Sequence, residues 1–231
     1  MLNRFLHPGP FSVGERVTLA GDELHHAAKV HRMRAGEEVE LFDGQGSGVR
    51  GRVIEIGREA MQIEIVASII ERREATIEIQ IALALIHPDK FELALQKGTE
   101  IGVSSFLPLQ TARCEVRAER VRGKGERWEK ILVEAAKQSG RLVVPALEAP
   151  LPFEQALASP GMNVMLDPSG TAEPPAGDSL RIFIGPEGGW SDEELSAARQ
   201  MGAYVWSLGP RRLRAETAAI AACTLLILGR S

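Results

Sequence analysis

Short runs in which hydrophobic and polar residues alternate fill residues 1–70 of the chain. Such alternation is typical of β-strands that bury one face. Strands are therefore expected at residues 16–19, 39–42, 48–56 and 60–66. A short helical stretch at residues 21–30 interrupts them. Several short strands with regular turn signals predict a small β-barrel or sandwich.

The pattern changes after a charged connector at residues 69–76, because longer apolar strands now alternate with amphipathic helices. The strands are expected at residues 77–86, 105–109, 163–166, 180–184 and 203–208. Residues 168–178 have the composition of a polar loop. The helices are expected at residues 90–101 and 126–139, from residue 191, and at residues 217–228. Alternating strands and helices indicate a mostly parallel sheet, so we predict an α/β fold with domains at residues 1–70 and 75–231.

Composition sets broad limits on the class of protein. The 231 residues, 44% hydrophobic and 25% charged, suit one large globular domain or two small ones. No apolar run is long enough to cross a bilayer. The opening residues up to Pro8 lack the apolar stretch of a signal peptide, so we expect a cytoplasmic protein. Cys114 and Cys223 lie outside any Cys-x-x-Cys spacing, which favours reduced structural thiols over a zinc site.

A loop at residues 184–190 follows an apolar strand and contains two adjacent glycines. Gly188 and Gly189 let the backbone approach a ligand closely or adopt a positive φ. Ser191 is expected to cap the next helix in a capping box with Glu194. Acidic residues in the first turn of that helix would repel a phosphate, so a neutral or cationic ligand fits better. A plain strand-to-helix turn explains the same residues equally well.

A second glycine-bearing loop, at residues 208–218, leads into the most apolar helix of the chain. Beside Glu216 it carries three arginines, Arg211, Arg212 and Arg214. Arginine binds phosphate through two hydrogen bonds and stabilises negative charge on a base. A solvated charged turn would explain one or two of these arginines, but less easily the Arg-x-Glu-Thr sequence at the start of such a helix.

Basic residues cluster around the short helix of the first domain. The cluster consists of His25, His26, Lys29, His31, Arg32 and Arg34. A solvated basic face is the usual explanation, contact with RNA is the sharper one, and both stay open. No pattern of acidic or cysteine ligands supports a metal site.

The net charge of −4 argues against indiscriminate binding of nucleic acid, although basic residues are locally dense. Residues 111–130 hold seven basic side chains against four acidic ones. Residues 138–141 resemble the end of a helix stopped by Gly140. That explanation leaves Gln138 and Arg141 open to a functional role.

The chain resembles the RsmE family of 16S rRNA uridine methyltransferases, which belongs to the SPOUT class. The resemblance extends over nearly the whole length of the chain. Two loops carry most of the resemblance: IGPEGG at 184–189, and LGPR at 208–211 followed by LRAETA at 213–218. Their combination in this order is highly specific. Weaker matches are LFDG at 41–44, KFELALQKGTEIG at 90–102, ARC at 112–114, WEKI at 128–131 and QSGR at 138–141.

The resemblance implies an N-terminal PUA-like RNA-binding β-barrel, followed by a SPOUT-type α/β domain with a C-terminal trefoil knot. It implies that the knot binds S-adenosylmethionine and that two subunits form a homodimer. The implied reaction is methyl transfer to N3 of a specific uridine in 16S rRNA of the small ribosomal subunit. Neither a membrane nor a metal is implied.

Matching positions imply roles for individual residues. We expect cofactor binding by Leu166, Gly185, Pro186, Glu187, Gly188, Gly189, Leu208, Gly209 and Leu213. We expect RNA contacts from His26, Lys29, Arg32, Arg34, Arg113 and Arg141. In catalysis, Arg214 would stabilise the negative charge that develops when uracil N3 loses its proton. Arg211 would bind a phosphate or the base, and Glu216 would accept the proton or orient an arginine.

Two other classes of function stay open. A non-catalytic RNA-binding ribosome-assembly factor would use the α/β domain only to dimerise, and absence of cofactor binding would favour it. An enzyme acting on phosphate esters lacks support, because neither a P-loop nor metal-binding carboxylates appear in the sequence. The final helix, residues 217–228, is apolar over more than one face, which suits either burial against the sheet or a dimer interface.

Overall fold

A computed structural model describes residues 2–71, 73–121 and 123–230, with the side chains at positions 29, 30 and 230 left outside the description. The chain forms two compact units. The first contains Met1–Glu74 together with Ala136–Val144, and the second contains Ala75–Ala135 together with Pro145–Ser231.

The first unit contains a five-stranded sheet. Its strands are β1 (Asn3–Leu6), β2 (Arg16–Leu19), β3 (Glu38–Phe42), β4 (Gly48–Ile56) and β5 (Met61–Ser68). They lie in the order β1-β3-β4-β5-β2; β1 and β3 pair in parallel, and the other neighbours are antiparallel. Helix α1 (Gly21–His25) continues into a π-helical turn at His26–Val30. The strands and the helical stretch predicted here are confirmed, but β1 was missed, because its sequence NRFL does not alternate hydrophobic and polar residues.

The core of this unit follows from the alternation in its strands. In β5, Met61, Ile63 and Ile65 are fully buried, and they pack with Phe5 of β1 and Leu41 of β3. Strand residues two positions apart share a face of the sheet. The hydrophobic face that the sequence predicts is therefore the face that forms the core.

Charged side chains also occupy the interior of the first unit. The Nε atom of Arg4 donates to Glu40 Oε2 at 3.0 Å, and Arg73 donates to both carboxylate oxygens of Glu40 at 2.8 and 3.1 Å. Arg4 also donates to three carbonyl oxygens within residues 136–141. Burial raises the pKa of Glu40, but the hydrogen bonds and charges of Arg73 and Arg4 outweigh burial and hold the pKa below its ordinary value.

The second unit contains a seven-stranded sheet, and all its recorded pairings are parallel. The strands are β6 (Glu78–Ala84), β7 (Ser105–Gln110), β8 (Ala146–Leu147), β9 (Leu151–Pro152), β10 (Met162–Thr171), β11 (Ser179–Ile184) and β12 (Tyr204–Trp206). Their order is β12-β10-β11-β6-β7-β8, and β9 also pairs with β7. The predicted α/β fold with a parallel sheet is confirmed.

Five helices accompany this sheet in the described part of the chain. They are α2 (Pro88–Ile101), α3 (Gly125–Ser139), α4 (Phe153–Ala158), α5 (Asp192–Gln200) and α6 (Ala215–Ile227). Gly140, which follows α3, has a φ of 83°, as predicted for a glycine that ends a helix. The sequence patterns missed α4 together with β8 and β9, because the two strands have only two residues each and the six residues of α4 make fewer than two helical turns.

One prediction about a loop was wrong. Residues 168–171, assigned to a polar loop, continue β10, although the pairing with β12 is irregular between Leu166 and Thr171. A Cβ atom at Gly170 would lie 2.5 Å from the carbonyl oxygen of Val205, so only glycine fits this close approach to β12. Backbone pairing determines the strand here, and hydrophobic pattern does not reveal it.

Candidate functional site

A cavity of about 450 Å³ lies at the carboxyl ends of β11 and β12 and beside Leu166, where the regular pairing of β10 ends. These strands are neighbours in the sheet, so the loops that follow them meet at one edge, where ligands of open α/β sheets usually bind. The volume falls within the range of small-molecule sites. All nine residues predicted to bind a cofactor line this cavity: Leu166, Gly185, Pro186, Glu187, Gly188, Gly189, Leu208, Gly209 and Leu213.

Trp190 joins the first loop to the end of β10. Its indole is buried, and the Nε1 atom donates to the carbonyl oxygen of Leu166 at 2.9 Å. A Cβ atom at Gly185 would lie 3.0 Å from the Trp190 ring, so a glycine is needed for the loop to pass the ring at this distance. Trp190 lines the cavity, but the sequence analysis had given it no role.

The rest of the first loop is held by its own backbone and by the helix that follows it. Gly189 has a φ of 72°, and its N–H donates to the carbonyl oxygen of Pro186 at 2.8 Å. The predicted capping box is confirmed, since the Glu194 N–H donates to Ser191 Oγ and the Ser191 N–H donates to Glu194 Oε2. The Gly189–Pro186 bond therefore shapes the turn of the loop, and the capping box defines the start of α5 after it.

Arg113 lies on the cavity wall, beside the first loop. It belongs to the segment that follows β7, its side chain is exposed, and Nη1 donates to the carbonyl oxygen of Gly188 at 3.1 Å. We expected Arg113 to contact RNA. Its position would bring such a contact next to the cavity.

Cations surround Glu187 at the rim of the cavity. Its carboxylate forms an ion pair with Lys90, and its carbonyl oxygen accepts a hydrogen bond from Arg212. The hydrogen bond and charge of Lys90, with weaker contributions from Arg214 and His87, hold the pKa of Glu187 below its ordinary value. The carboxylate therefore stays ionised, and the sequence analysis had not foreseen its partner Lys90.

The second loop presents its arginines to solvent. Arg211, Arg212 and Arg214 are all exposed, and the first two also line the cavity. Arg214 is the N-cap residue of α6, with extended backbone, so it stands at the point where the loop meets the helix. Gly209 has a φ of 106°, a left-handed conformation that favours glycine.

Glu216 lies in the first turn of α6 and is only 8% exposed. Its Oε2 atom is buried and has no hydrogen-bond partner among the described residues. A buried acceptor without a donor is destabilising, and in a native protein it calls for an explanation. Arg214 and Glu216 are absent from the residues recorded as lining the cavity, whereas Ala215 and Ala218 of the same segment line it.

The residues predicted to contact RNA in the first unit differ in exposure. Arg32 and Arg34 are exposed in the segment after the π-helical turn, and His26 is half-buried. Arg32 has a φ of 52°, an uncommon conformation for a residue other than glycine. The side chain of Lys29 lies outside the described residues.

Arg141 has a different environment from the one we expected. Its side chain is buried, and Nε donates to Glu74 Oε2 at 2.8 Å, while its carbonyl oxygen accepts from Arg4 at 2.7 Å. An arginine buried against a carboxylate has its donors directed inward, which favours a structural role for Arg141. The contact of Arg141 with RNA stays a prediction.

The described residues contain no group of three or more histidine, cysteine, aspartate or glutamate side chains placed to hold a metal ion. In the same part of the chain, no helix has both the length and the apolar character needed to span a membrane.

Cys114 and Cys223 are buried free thiols, and burial raises the pKa of Cys223 to about 12. Such a thiol is not reactive at neutral pH.

Family models match both units. Residues 73–227 match a model described as an RNA methyltransferase domain, and residues 19–66 match one described as an RNA methyltransferase PUA domain. The ribosomal RNA small subunit methyltransferase E of Bacillus subtilis is 31% identical over 226 residues, which cover 90% of this chain and 88% of that protein.

Solved structures agree with these matches. The ribosomal RNA small subunit methyltransferase E of Neisseria gonorrhoeae, bound to S-adenosylmethionine, is 30% identical and superposes with a TM-score of 0.90 over 98% of this chain and 97% of that one. A putative methyltransferase of Legionella pneumophila, with the cofactor SAM bound, is 31% identical, with a TM-score of 0.87 and the same coverage. The chain therefore belongs to the ribosomal RNA small subunit methyltransferase E family.

Proposed function

We propose that this protein is an S-adenosylmethionine-dependent methyltransferase that methylates N3 of a specific uridine in 16S rRNA of the small ribosomal subunit. The observation that carries the proposal is the cavity at the ends of β11 and β12 and beside Leu166 of β10, where the nine predicted cofactor-binding residues come together. The two solved relatives with S-adenosylmethionine bound have nearly the same fold, which supports the same cofactor for this chain.

The residues around the cavity fit this cofactor. S-adenosylmethionine is a sulfonium cation without a phosphate, and the first turn of α5 carries Asp192, Glu193 and Glu194, which would repel an anion. The glycines of both loops leave backbone groups bare, and a side chain at Gly185 would press on the Trp190 ring, with its Cβ atom only 3.0 Å away. These backbone groups would hold the cofactor, which supplies an already activated methyl group.

The chain's own residues must promote the loss of the uracil N3 proton and stabilise the negative charge that develops. The N3 proton leaves before or during methyl transfer, and negative charge then spreads to the neighbouring carbonyl oxygens. Arg214, exposed at the start of α6, stabilises this charge, and Arg211 on the cavity wall binds a phosphate or the base. Correct positioning of the two substrates supplies much of the remaining rate.

Glu216 is the candidate base. Its buried Oε2 atom lacks a donor within the described part of the chain, so the oxygen is available to accept a proton or to orient an arginine after substrate binds. An unchanged pH–rate profile in Glu216→Gln would argue against Glu216 as the base.

The finer architecture is part of the proposal. The first unit, with a domain boundary near residues 70–75, is a PUA-like barrel that binds RNA through His26, Lys29, Arg32 and Arg34. The second unit forms a trefoil knot of the SPOUT class and adds Arg113 to the RNA contacts.

We also propose a homodimer. Leu225 and Leu228 are 52% and 55% exposed near the end of α6, and such exposed apolar side chains suit a subunit interface. We place the protein in the cytoplasm.

Methyl transfer from labelled S-adenosylmethionine to small ribosomal subunits that lack the modification tests this function. We expect 3-methyluridine as the product nucleoside. A different methylated nucleoside would contradict the proposed target atom while keeping the cofactor. If neither methyl transfer nor cofactor binding occurs, the protein is better explained as a non-catalytic RNA-binding assembly factor.

A further inference from the structure

The carboxylate of Glu194 bonds to two separate segments of the second unit. One oxygen, Oε2, accepts from the N–H of Ser191 at 2.8 Å, which is the bond that completes the capping box of α5. The other oxygen, Oε1, accepts from the N–H of Ala112 at 2.8 Å, although Ala112 lies 82 positions earlier in the chain. Glu194 is only 4% exposed, and both bonds are partly buried.

The second bond is not required for helix capping. A capping box needs one acceptor for the N-cap N–H, and Oε2 provides it. Hydrogen bonds to an ionised carboxylate are short and about twice as strong as neutral ones. The bond from Ala112 therefore anchors the segment after β7 to the start of α5.

Arg113 follows Ala112 directly, and its guanidinium is held at the opposite end by the carbonyl oxygen of Gly188. The segment after β7 is thus joined to α5 and to the first loop: the Ala112–Glu194 bond fixes its backbone to α5, and the Arg113–Gly188 bond fixes the tip of the side chain to the loop. A Cβ atom at Gly188 would lie 3.2 Å from Cβ of Arg113, so the two segments also pack closely. An exposed arginine has many rotamers, and these contacts select one that follows the cavity wall.

We propose that Glu194 is a positioning residue for methyl transfer, because it fixes the backbone at Ala112 and so holds Arg113 on the cavity wall, where Arg113 binds a phosphate of the RNA substrate. This inference rests on the proposed function. If Glu194 only capped α5, its loss would lower the stability of the fold. If Glu194 also positions Arg113, its loss lowers kcat/KM for the RNA as well.

Two single variants separate these roles. Glu194→Gln keeps the size of the side chain but replaces one acceptor by an NH₂ group, so one of the two backbone bonds is lost. The matched control, Ser191→Ala, removes the hydroxyl that caps α5 and leaves the Ala112–Glu194 bond in place. Both variants weaken the same helix end, and only Glu194→Gln alters the group that anchors the backbone next to Arg113.

Steady-state methyl transfer to undermethylated small subunits is measured for both variants, together with cofactor affinity and urea unfolding. For Glu194→Gln we expect kcat/KM for the RNA to fall about tenfold with unchanged cofactor affinity, since small displacements at an active site are costly. For Ser191→Ala we expect a change within about twofold, as for a substitution outside the site. The inference would be overturned if both variants lost the same amount of stability and kcat/KM for the RNA also fell equally in both.

A double-mutant cycle with Arg113→Ala provides a readout that a purely structural role would not change. If Glu194 acts through Arg113, the double variant transfers methyl groups no more slowly than Arg113→Ala alone. If the losses of rate in the two single variants multiplied in the double variant, the two residues would act independently and the inference would be contradicted. Amide exchange at Ala112, which we expect to become faster in Glu194→Gln, checks the anchor without any turnover. An inactive wild-type protein would overturn the proposed function itself, whereas an active wild type with additive variants would overturn only this inference.

Discussion

The arginines inside the first unit and those of the second loop have opposite environments. Arg4 and Arg141 are buried and bonded to carboxylates and backbone carbonyls, whereas Arg211, Arg212 and Arg214 are exposed. A buried pair keeps its place because water cannot replace either partner. An exposed arginine can turn its donors toward an incoming anion. Residue type alone therefore says little about function, and the surroundings decide between a structural and a binding role.

The largest effect is expected from Arg4→Ala. The variant leaves Glu40 buried with one partner fewer, and breaking a buried pair in this way costs about 3–5 kcal/mol. Urea unfolding of the full chain measures the loss. Arg52→Ala is the control, because its pair with Glu38 is half-exposed and worth about 0–1 kcal/mol. Similar losses in both variants would remove the distinction between buried and exposed arginines.

Arg214→Ala is expected to change turnover rather than stability. Loss of a group that stabilises developing charge lowers kcat by about 10²–10³-fold. Cofactor affinity, measured by calorimetry, and the unfolding midpoint should stay as in the wild type, because Arg214 is exposed. Arg199→Ala, which alters an exposed arginine of α5, serves as the control and should keep its rate. A fully active Arg214→Ala enzyme would exclude the proposed role.

Acidification is expected to weaken the first unit through Glu40. The folded state holds the pKa of Glu40 below its ordinary value of 4.5, so the ionised carboxylate stabilises the fold above that pH. This contribution is lost as the pH falls below 4.5 and through the lowered pKa. Urea unfolding across this acidic range measures the slope of the free energy of unfolding against pH. Glu40→Gln should be less stable at neutral pH and should show a smaller slope. An unchanged slope would show that other carboxylates dominate the pH dependence.

The smallest effect is expected from Arg34→Ala. Removal of one phosphate contact should reduce the slope of log affinity for the RNA against log salt by about 1, without any loss of stability. Arg141→Ala provides the reverse case, because its buried pair with Glu74 predicts lower stability and an unchanged slope. Filter binding at several salt concentrations gives both slopes. A reduced slope for a folded Arg141→Ala protein would support the predicted RNA contact of Arg141.

Sequence patterns predicted local structure well wherever a single element carries the signal. The bounds of β4 agree with the alternating run, and the Ser191 capping box is present because all its atoms lie within four residues. Both glycine-bearing loops were identified from their sequences. That they meet at one cavity depends on the strand order β12-β10-β11, which no local pattern contains.

Contacts between residues that lie far apart in the chain could not be predicted from sequence patterns. Arg141 looked available because Glu74, its partner, lies 67 positions earlier. Glu194 was recognised as part of a capping box, but its bond to Ala112 requires the segment after β7 to lie beside α5. The role of Glu216 and the division into residues 1–70 and 75–231 stay predictions, because neither a local pattern nor a single contact determines them.

The unpaired oxygen of Glu216 has a consequence for protein engineering. Because a buried acceptor without a donor destabilises the fold, replacing Glu216 with an apolar side chain should raise thermal stability. A selection for heat resistance alone would therefore favour changes at this position. If Glu216 serves the reaction as proposed, every such variant would become more durable while losing the activity for which it was made. Heat-resistant forms of this enzyme are better sought away from the start of α6.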